Sequence, residues 1–484
     1  MKNIILLLIS ALALLSSCIE DDSSIMHVDI GDVTISGIAK EYFAVVREPF
    51  KIDPIIELEG IAESDLKYYW VYGSNGEDTL STERVLDILM PDYIGSKTYI
   101  TLIVENARYK TKYESESAVV TIGSHFEKGW VLLSDKGENS YLSFISESNT
   151  ESPVYHDLYA NISDQPMKKG KQLFIDTRSS DTYIGVIPED APEETFLIEG
   201  DYFTYSHLLS EEFRNFDNLD GEFKPNAVFI PGYGPRFVMT NKKIYPRSGS
   251  TYDLDKYSVP TYGDYEVRDL FGSTDYLGRN LVAYDYKNKQ YVFVGDYGGS
   301  RNISTFSSPD GDFDLSNPIE EPLWMGSSSM LSYYLDNECL SVVKDASGQY
   351  KLHQIMVENT RVNDVWGLYL RSGYPIESDL PVTINENTVF CGTNGFLYIG
   401  NDKDIKERDL VRNGITRDLV TMPHPVTCIA PFTSTSIAVA TNSGDPELPG
   451  DFYIISIDPA NPGEILQKYE RVGGIIKHMK YKNL

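Results

Sequence analysis

The sequence predicts an all-β chain in two unlike parts, an immunoglobulin-like β-sandwich followed by a β-propeller of about seven blades. Three observations predict it. Short β-rich runs follow one another with Gly, Asn and Asp turns between them. From Gly129 onward the runs come in hairpin pairs that recur at intervals of about 50 residues, the spacing of propeller blades. Helical patterning is confined to one short segment, 206–213.

Residues 1–24 read as a processing segment and tether, outside the fold. Lys2 supplies the positive start, Ile4 to Leu15 an apolar run, and Leu15-Ser16-Ser17-Cys18 the small-residue cleavage context of a bacterial lipoprotein. The run is too short to span about 30 Å of hydrocarbon. Diacylglycerol on the Cys18 sulfur and an acyl chain on the new amino group would anchor the protein, at about 0.8 kcal/mol per buried methylene. The alternative is an ordinary secretory peptide with an incidental cysteine. Ile19-Glu20-Asp21-Asp22-Ser23-Ser24 is similar to the acidic export tag of lipoproteins displayed on the outer face of the outer membrane. A merely solvated tether would carry the same residues. The location expected is therefore the outer membrane, lipid-anchored and exposed at the cell surface.

Residues 25–123 read as the sandwich. Tyr68-Tyr69-Trp70-Val71-Tyr72 is a β-rich run that stops at Gly73-Ser74-Asn75-Gly76. Tyr99–Val104 follows Gly95-Ser96, and Ser117–Ile122 is the last strand. Earlier strands are expected at Asp32–Ile35 and Phe50–Ile56. A central Trp fits an immunoglobulin-like core, whereas the antibody type is excluded because no inter-sheet cysteine pair is present.

Residues 129–484 carry the slow repeat. The predicted pairs are Val131–Ser134 with Tyr141–Ile145, Gln172–Ile175 with Thr182–Ile187, and Ala227–Ile230 with Phe237–Thr240. Leu281–Tyr286 with Gln290–Gly295 comes next, then Leu331–Tyr334 with Leu340–Lys344 and Tyr350–Met356. Thr388–Cys391 with Gly395–Ile399 and Val426–Ala430 with Ser436–Ala440 and Phe452–Ile457 complete the series. Turns such as Lys136-Gly137, Lys287-Asn288 and Asn394-Gly395 join the partners. Closure into a ring would remove exposed sheet edges. Two β-sandwiches in tandem are the alternative. Ser206–Phe213 reads as a short helix capped by Ser206.

The chain carries 72 acidic against 42 basic residues, a formal charge of −30. Such a surface repels phosphate backbones, so no nucleic-acid partner is expected. Besides Cys18, three cysteines (Cys339, Cys391, Cys428) lie in apolar runs and read as small buried hydrophobes.

Several of these segments together resemble a known family. They are the lipobox and acidic tag from Cys18 to Asp22, the Tyr69-Trp70-Val71 strand, and the Lys97–Val104 strand. The junction Glu127-Lys128-Gly129-Trp130-Val131-Leu132-Leu133-Ser134 belongs with them. The chain resembles the PKD-like surface lipoproteins associated with SusC/SusD-type nutrient uptake systems. The resemblance covers the first third of the chain by motif and the rest by architecture. It implies a PKD-like sandwich and a role as accessory ligand-binding or scaffold component of a TonB-dependent SusC/SusD-type complex. The partners it implies are that transporter and other surface lipoproteins, with an oligopeptide or glycan as ligand. The chain lacks the W-x-F-G-D-G loop of better-known PKD modules, so ligand roles of those modules do not carry over.

No catalytic or cofactor constellation emerges from the sequence. The seven histidines are scattered singly, and no H-E-x-x-H, G-x-S-x-G or phosphate-loop pattern occurs. A carboxylate pair assembled in space would escape sequence reading, so a surface glycosidase or lyase on a propeller remains the alternative function. Asp310, Asp312 and Asp314 alternate as calcium-loop oxygens do, with Glu321 at the twelfth position. Leu315 and Pro318 stand where that loop needs a flexible turn, so a solvated acidic loop is the competing reading. Tyr233, Tyr262 and Tyr265 in loop-like segments, with Trp324 and Trp366, are the candidate ligand contacts, because rigid amphipathic rings suit sugars and peptide backbones.

Overall fold

The structure, a computed structural model, describes residues 31–73, 78–91, 97–178, 181–214, 222–230, 236–247, 256–257, 259–273, 280–295, 303–308, 310–328, 338–362, 365–410 and 414–483. For 295, 358–362 and 365–368 it describes the backbone. Cys18 and the tether, Ser74–Gly76, Gly95-Ser96, Tyr233 and Leu331–Tyr334 lie outside the described residues. The chain divides into two compact units, Met1–Gly123 and Ser124–Leu484. Among the described residues no helix is long and apolar enough to cross a membrane.

The first unit contains β1 (Asp32–Ser36), β2 (Glu41–Val45), β3 (Pro49–Ile52), β4 (Ile55–Glu59), β5 (Leu66–Tyr72), β6 (Asp78–Ser81), β7 (Leu86–Leu89), β8 (Lys97–Asn106), β9 (Thr111–Glu114) and β10 (Ala118–Gly123). The main sheet has the order β2-β10-β8-β5-β6, with β9 on β8, and β2 runs parallel to β10. The pairs β1-β4 and β3-β7 stand apart from that sheet. Alternation along β8 sends Thr98, Ile100, Leu102 and Val104 inward and Tyr99 outward, as period-2 patterning requires. Trp70 sits fully buried in the core with Ile52, Leu86, Met90 and Val120, and its indole N–H donates to the Glu83 carbonyl at 3.1 Å. Burying such a ring contributes roughly 2–3 kcal/mol. Phe50–Ile56, expected as one strand, is two. The break falls at Asp53-Pro54, and β3 and β4 pair with different partners, because proline removes a ladder donor and fixes φ.

The second unit is a succession of sheets. Its strands are β11 (Gly129–Lys136), β12 (Asn139–Ser146), β13 (Val154–Tyr155), β14 (Met167–Lys168), β15 (Gly170–Arg178), β16 (Asp181–Pro188), β17 (Phe196–Glu199) and β18 (Thr204–Leu208). There follow β19 (Pro225–Phe229), β20 (Arg236–Thr240), β21 (Lys243–Arg247), β22 (Phe271–Ser273), β23 (Asn280–Asp285), β24 (Gln290–Gly295), β25 (Trp324–Ser327), β26 (Cys339–Lys344) and β27 (Tyr350–Ile355). Next come β28 (Val357–Val362), β29 (Val365–Leu370), β30 (Ile376–Asp379), β31 (Val389–Thr393), β32 (Phe396–Asn401), β33 (Asp404–Asp409) and β34 (Thr416–Thr421). The last are β35 (Val426–Thr433), β36 (Ser436–Asn442), β37 (Gly450–Ser456), β38 (Ile465–Gly473) and β39 (Ile475–Lys482).

Antiparallel neighbours group them as β13-β12-β11-β39, β15-β16-β17-β18, β19-β20-β21, β22-β23-β24, β25-β26-β27-β30, β31-β32-β33-β34 and β35-β36-β37-β38. The pair β28-β29 is a separate hairpin between β27 and β30. The turn Asn394-Gly395, with φ of 52° and 78°, makes the two-residue connection of β31 to β32 that its sequence predicts.

Apolar clusters join each sheet to the next. Val131, Leu142, Ile184 and Val186 join the first to the second, and Phe174, Leu197, Val228 and Val238 the second to the third. Met239, Leu281 and Val292 join the third to the fourth, Val282, Tyr291, Cys339 and Ile355 the fourth to the fifth. Leu340, Leu352, Leu397 and Ile399 join the fifth to the sixth, and Tyr398, Ile405, Ile437 and Tyr453 the sixth to the seventh. A last cluster of Trp130, Leu132, Ala438, Phe452 and Met479 joins the seventh back to the first. This is the sheet-on-sheet packing of a β-propeller. The strand β39 completes the first sheet by pairing with β11, Leu132 opposite Met479.

Two readings are corrected here. Ser206 caps no helix: it lies in β18, paired with β17, and only Leu209–Glu212 turns, as a single 3-10 turn. The cause is tertiary, since Glu212 is drawn inward by Arg178, Arg247 and His207. The described strand that pairs with β26 on its inner side is Trp324–Ser327, a segment not marked as a strand by its residues alone.

Candidate functional site

The inner strands of the second unit approach too closely for ordinary side chains at some points. A Cβ on Gly272 would lie 2.4 Å from the Gly326 carbonyl, so β22 and β25 can touch only with glycine there. Side chains then tie neighbouring inner strands by imitating a ladder. Gln172 of β15 donates to the Val228 carbonyl and accepts from the Val228 N–H, both at 2.8 Å. Ser327 accepts from the Ser273 N–H at 2.7 Å.

Among the described residues, seven inner strands surround a cavity of about 690 Å³, within the size range of sites for small molecules. Each contributes: Gln172 and Thr177 from β15, Val228 and Phe229 from β19, and Phe271 from β22. Trp324 and Ser327 come from β25, Phe390 and Cys391 from β31, Ile429 from β35, and Lys480 with Tyr481 from β39. Half-buried aromatic rings from five of these strands lie in the wall. Trp324 and Phe390 lie 5.4 Å apart at 31°, and Phe229 meets Phe271 edge-on at 5.5 Å. The Trp324 ring lies over Gly326, where a Cβ would meet it at 2.3 Å. Tyr481 is held by Trp130 and Phe432 at 5.2 and 4.8 Å.

Two charged side chains are among the described lining residues, Asp269 and Lys480. Asp269 is paired with Lys171 at 2.9 Å. Lys480 is exposed and opens into the cavity, and the loss of part of its hydration between the cavity walls holds its pKa below the ordinary lysine value. The groups facing it supply no negative charge. Burial pushes the Cys391 thiol up, and Cys428 up to about 12. His478 is lowered to about 4 by burial, and its Nε2 donates to the Lys171 carbonyl at 2.6 Å.

A second concentration of charge lies beside Thr177, between the second and third sheets. Arg178 donates to Asp176 at 2.5 Å and to Glu212 at 2.6 Å, and His207 Nε2 reaches the same Glu212 oxygen at 2.7 Å. Arg247 binds the other Glu212 oxygen, and Arg236 binds Asp176. Burial raises the Glu212 pKa, but the His207 hydrogen bond and the Arg178 and Arg247 charges outweigh it and hold the carboxyl below its usual range. The group is a closed lattice of paired charges.

Of the residues singled out from sequence, Trp324 lines the cavity. Tyr262 is exposed, at 61 %. Tyr265, expected as exposed contact surface, is buried at 1 %: its hydroxyl donates to the Thr261 carbonyl at 3.2 Å and accepts from the Ile244 N–H at 3.1 Å. The backbone of Trp366 lies in β29, opposite Arg361. Asp312 accepts from the Glu377 N–H at 2.8 Å, and Asp314 accepts from the N–H and hydroxyl of Ser316 at 2.9 and 2.8 Å. Leu315, at the position where a calcium loop needs glycine, is fully buried in the core between the fourth and fifth sheets. Among the described residues no group of three or more His, Cys, Asp or Glu is placed to hold a metal, Asp310, Asp312 and Asp314 included. Lys480 and Gln172 carried no signal in the sequence, since a Lys in a strand pattern and a Gln before Leu-Phe-Ile look ordinary.

Residues 18–170 match the PKD-like family. No curated protein matches the chain. Among solved structures it is similar to the β-propeller domain of Cps50 (Swd1) from Myceliophteria thermophila, at 11% identity and a TM-score of 0.38, over 66% of this chain and 93% of that one. It is also similar to apo AztD from Citrobacter koseri, at 7% identity and a TM-score of 0.33, over 75% of this chain and 97% of that one.

Proposed function

We propose that the chain is a cell-surface lipoprotein, anchored through Cys18, that serves as an accessory ligand-binding or scaffold component of a SusC/SusD-type uptake complex in the outer membrane. In this reading the second unit is a seven-bladed propeller and its central cavity is the binding site for a portion of an oligopeptide or glycan. The first unit acts as spacer and docking module. The observation that carries the binding role is the cavity itself, to which strands β15, β19, β22, β25, β31, β35 and β39 contribute and whose lining includes Phe229, Phe271, Trp324, Phe390 and Tyr481. The lipobox, the acidic tag and the PKD-like match over 18–170 support the cellular setting.

A surface glycosidase or lyase needs two carboxylates about 5–9 Å apart across the scissile bond. The described lining offers Asp269, tied to Lys171, which favours binding over hydrolysis. The test is a tagged full-length chain expressed in its host and recovered from detergent-solubilised outer membranes. Co-purification of a TonB-dependent barrel and its lid lipoprotein is the expected result. Recovery of the chain alone, or turnover of a glycan or peptide by the purified protein, would overturn the reading.

A further inference from the structure

We infer that the cavity selects ligands bearing a carboxylate next to an apolar or ring-shaped portion, with Lys480 of β39 as the anion-binding group and the Trp324–Phe390 pair as the platform for the rest. The inference rests on the binding role proposed above and names the ligand chemistry of that same site.

Several enclosed cations of the second unit have anions: Arg178, Arg236 and Arg247 have Asp176 and Glu212, and Lys482 has Asp201 at 2.6 Å, whereas buried Arg408 is held by the Gly414 carbonyl and the Thr416 hydroxyl. Among the described residues Lys480 has no carboxylate within ion-pair distance. Its neighbours across the wall are Cys391 and Cys428, which stay protonated thiols, and on its own strand His478, which stays neutral. Asp269, the one carboxylate among the described lining residues, is already taken by Lys171. Lys480 is exposed to the cavity, so its ammonium is free to meet a ligand anion through a charge-assisted hydrogen bond. Trp324, Phe390, Phe229 and Phe271 offer faces and edges for a ring or an apolar side chain. A phosphate is less suited, because a dianion would ask for a second donor cation where the described wall has one free amine.

The pH dependence has a fixed sign. The anion binds the ammonium form, so a carboxylate ligand raises the Lys480 pKa from its lowered value. Above that lowered value, binding takes up a proton; as pH rises further the attraction is lost.

The two sources of such a ligand, a peptide C-terminus and an acidic sugar, are separated by the probes. Titration calorimetry of the full mature chain would use acetyl-Leu-Phe against its C-terminal amide, and trigalacturonate against a neutral galactose trisaccharide. At least one acid should bind about tenfold or more tighter than its neutral partner, as a charge-assisted bond predicts, with heats that vary with buffer ionisation enthalpy. Lys480→Met should erase that preference and the proton uptake, whereas Trp324→Ala should weaken acid and neutral forms alike. Equal affinity for acid and neutral forms, an acid preference that persists in Lys480→Met, or no binding of any probe would each overturn the inference. Co-purification with the transporter would be untouched by those results, so failure here is distinguishable from failure of the uptake reading.

Discussion

Two concentrations of charge in the second unit are met in opposite ways. Beside Thr177, two carboxylates and three guanidiniums saturate one another across three strands and a 3-10 turn. Across the cavity, Lys480 stands in an aromatic wall with thiols and a neutral histidine for company. The contrast teaches that burial of charge alone does not mark a site. Asp176 and Glu212 are nearly inaccessible and belong to the architecture, fixing the second sheet to the third. Lys480 is open to the cavity and unpaired, which is the condition for meeting a ligand.

The comparison is broken most forcefully at Glu212. Glu212→Gln keeps the shape but leaves Arg178 and Arg247 without their shared anion, and loss of one partner of a buried pair costs about 3–5 kcal/mol. The urea midpoint of the second unit should fall accordingly; an unchanged midpoint would mean the lattice holds nothing together. The carboxyl pKa is lowered in the folded chain, so its stabilisation is present above the unfolded value of about 4.3 and is lost as pH falls through the folded value. Acid unfolding profiles of the wild type and Glu212→Gln should therefore converge at low pH.

A smaller effect is expected where inner strands meet. Gly272→Val would press a side chain on the Gly326 carbonyl and on Cys339 Sγ, 2.7 Å from the Cβ position. Overpacking of that kind costs about 1–3 kcal/mol. It should also shift Trp324, which lies on Gly326, and so alter ligand affinity where Glu212→Gln does not. A Gly272→Val protein with native stability and native binding would contradict the close approach of β22 and β25.

Much of the fold was legible because hairpins are local. Asn394-Gly395 demands its turn, and the alternation of Thr98, Ile100, Leu102 and Val104 demands one buried face. Tyr265 and Ser206 were misread for one reason, that burial is decided by neighbours far away in sequence. Tyr265 is fixed by Ile244 and Thr261, and the segment after Ser206 by Arg178 and Arg247. The cavity was least legible. It exists only because β39 returns to pair with β11, a contact between opposite ends of the second unit that no local pattern announces. Individual hairpins could be read from the sequence, but the residues meeting at the centre could not.

The gentlest prediction separates the two charge systems by the sign of a stability change. For Lys480 the folded pKa lies below the unfolded one, so between the two the unfolded chain binds more protons and stability rises with pH. At neutral pH the amine therefore adds no stability to the ligand-free protein. Lys480→Met should leave the thermal midpoint unchanged or raise it slightly at pH 7, and the difference from wild type should shrink as pH rises past the unfolded lysine value of about 10.4, above which the lysine is neutral in both states. Thermal melts of the two proteins at several pH values read this directly. If the methionine variant melts lower at pH 7, Lys480 has an internal partner after all and belongs with Glu212 as architecture. If it melts at or above the wild type while losing its preference for acids, the amine is held against the fold's own interest, as a binding group must be.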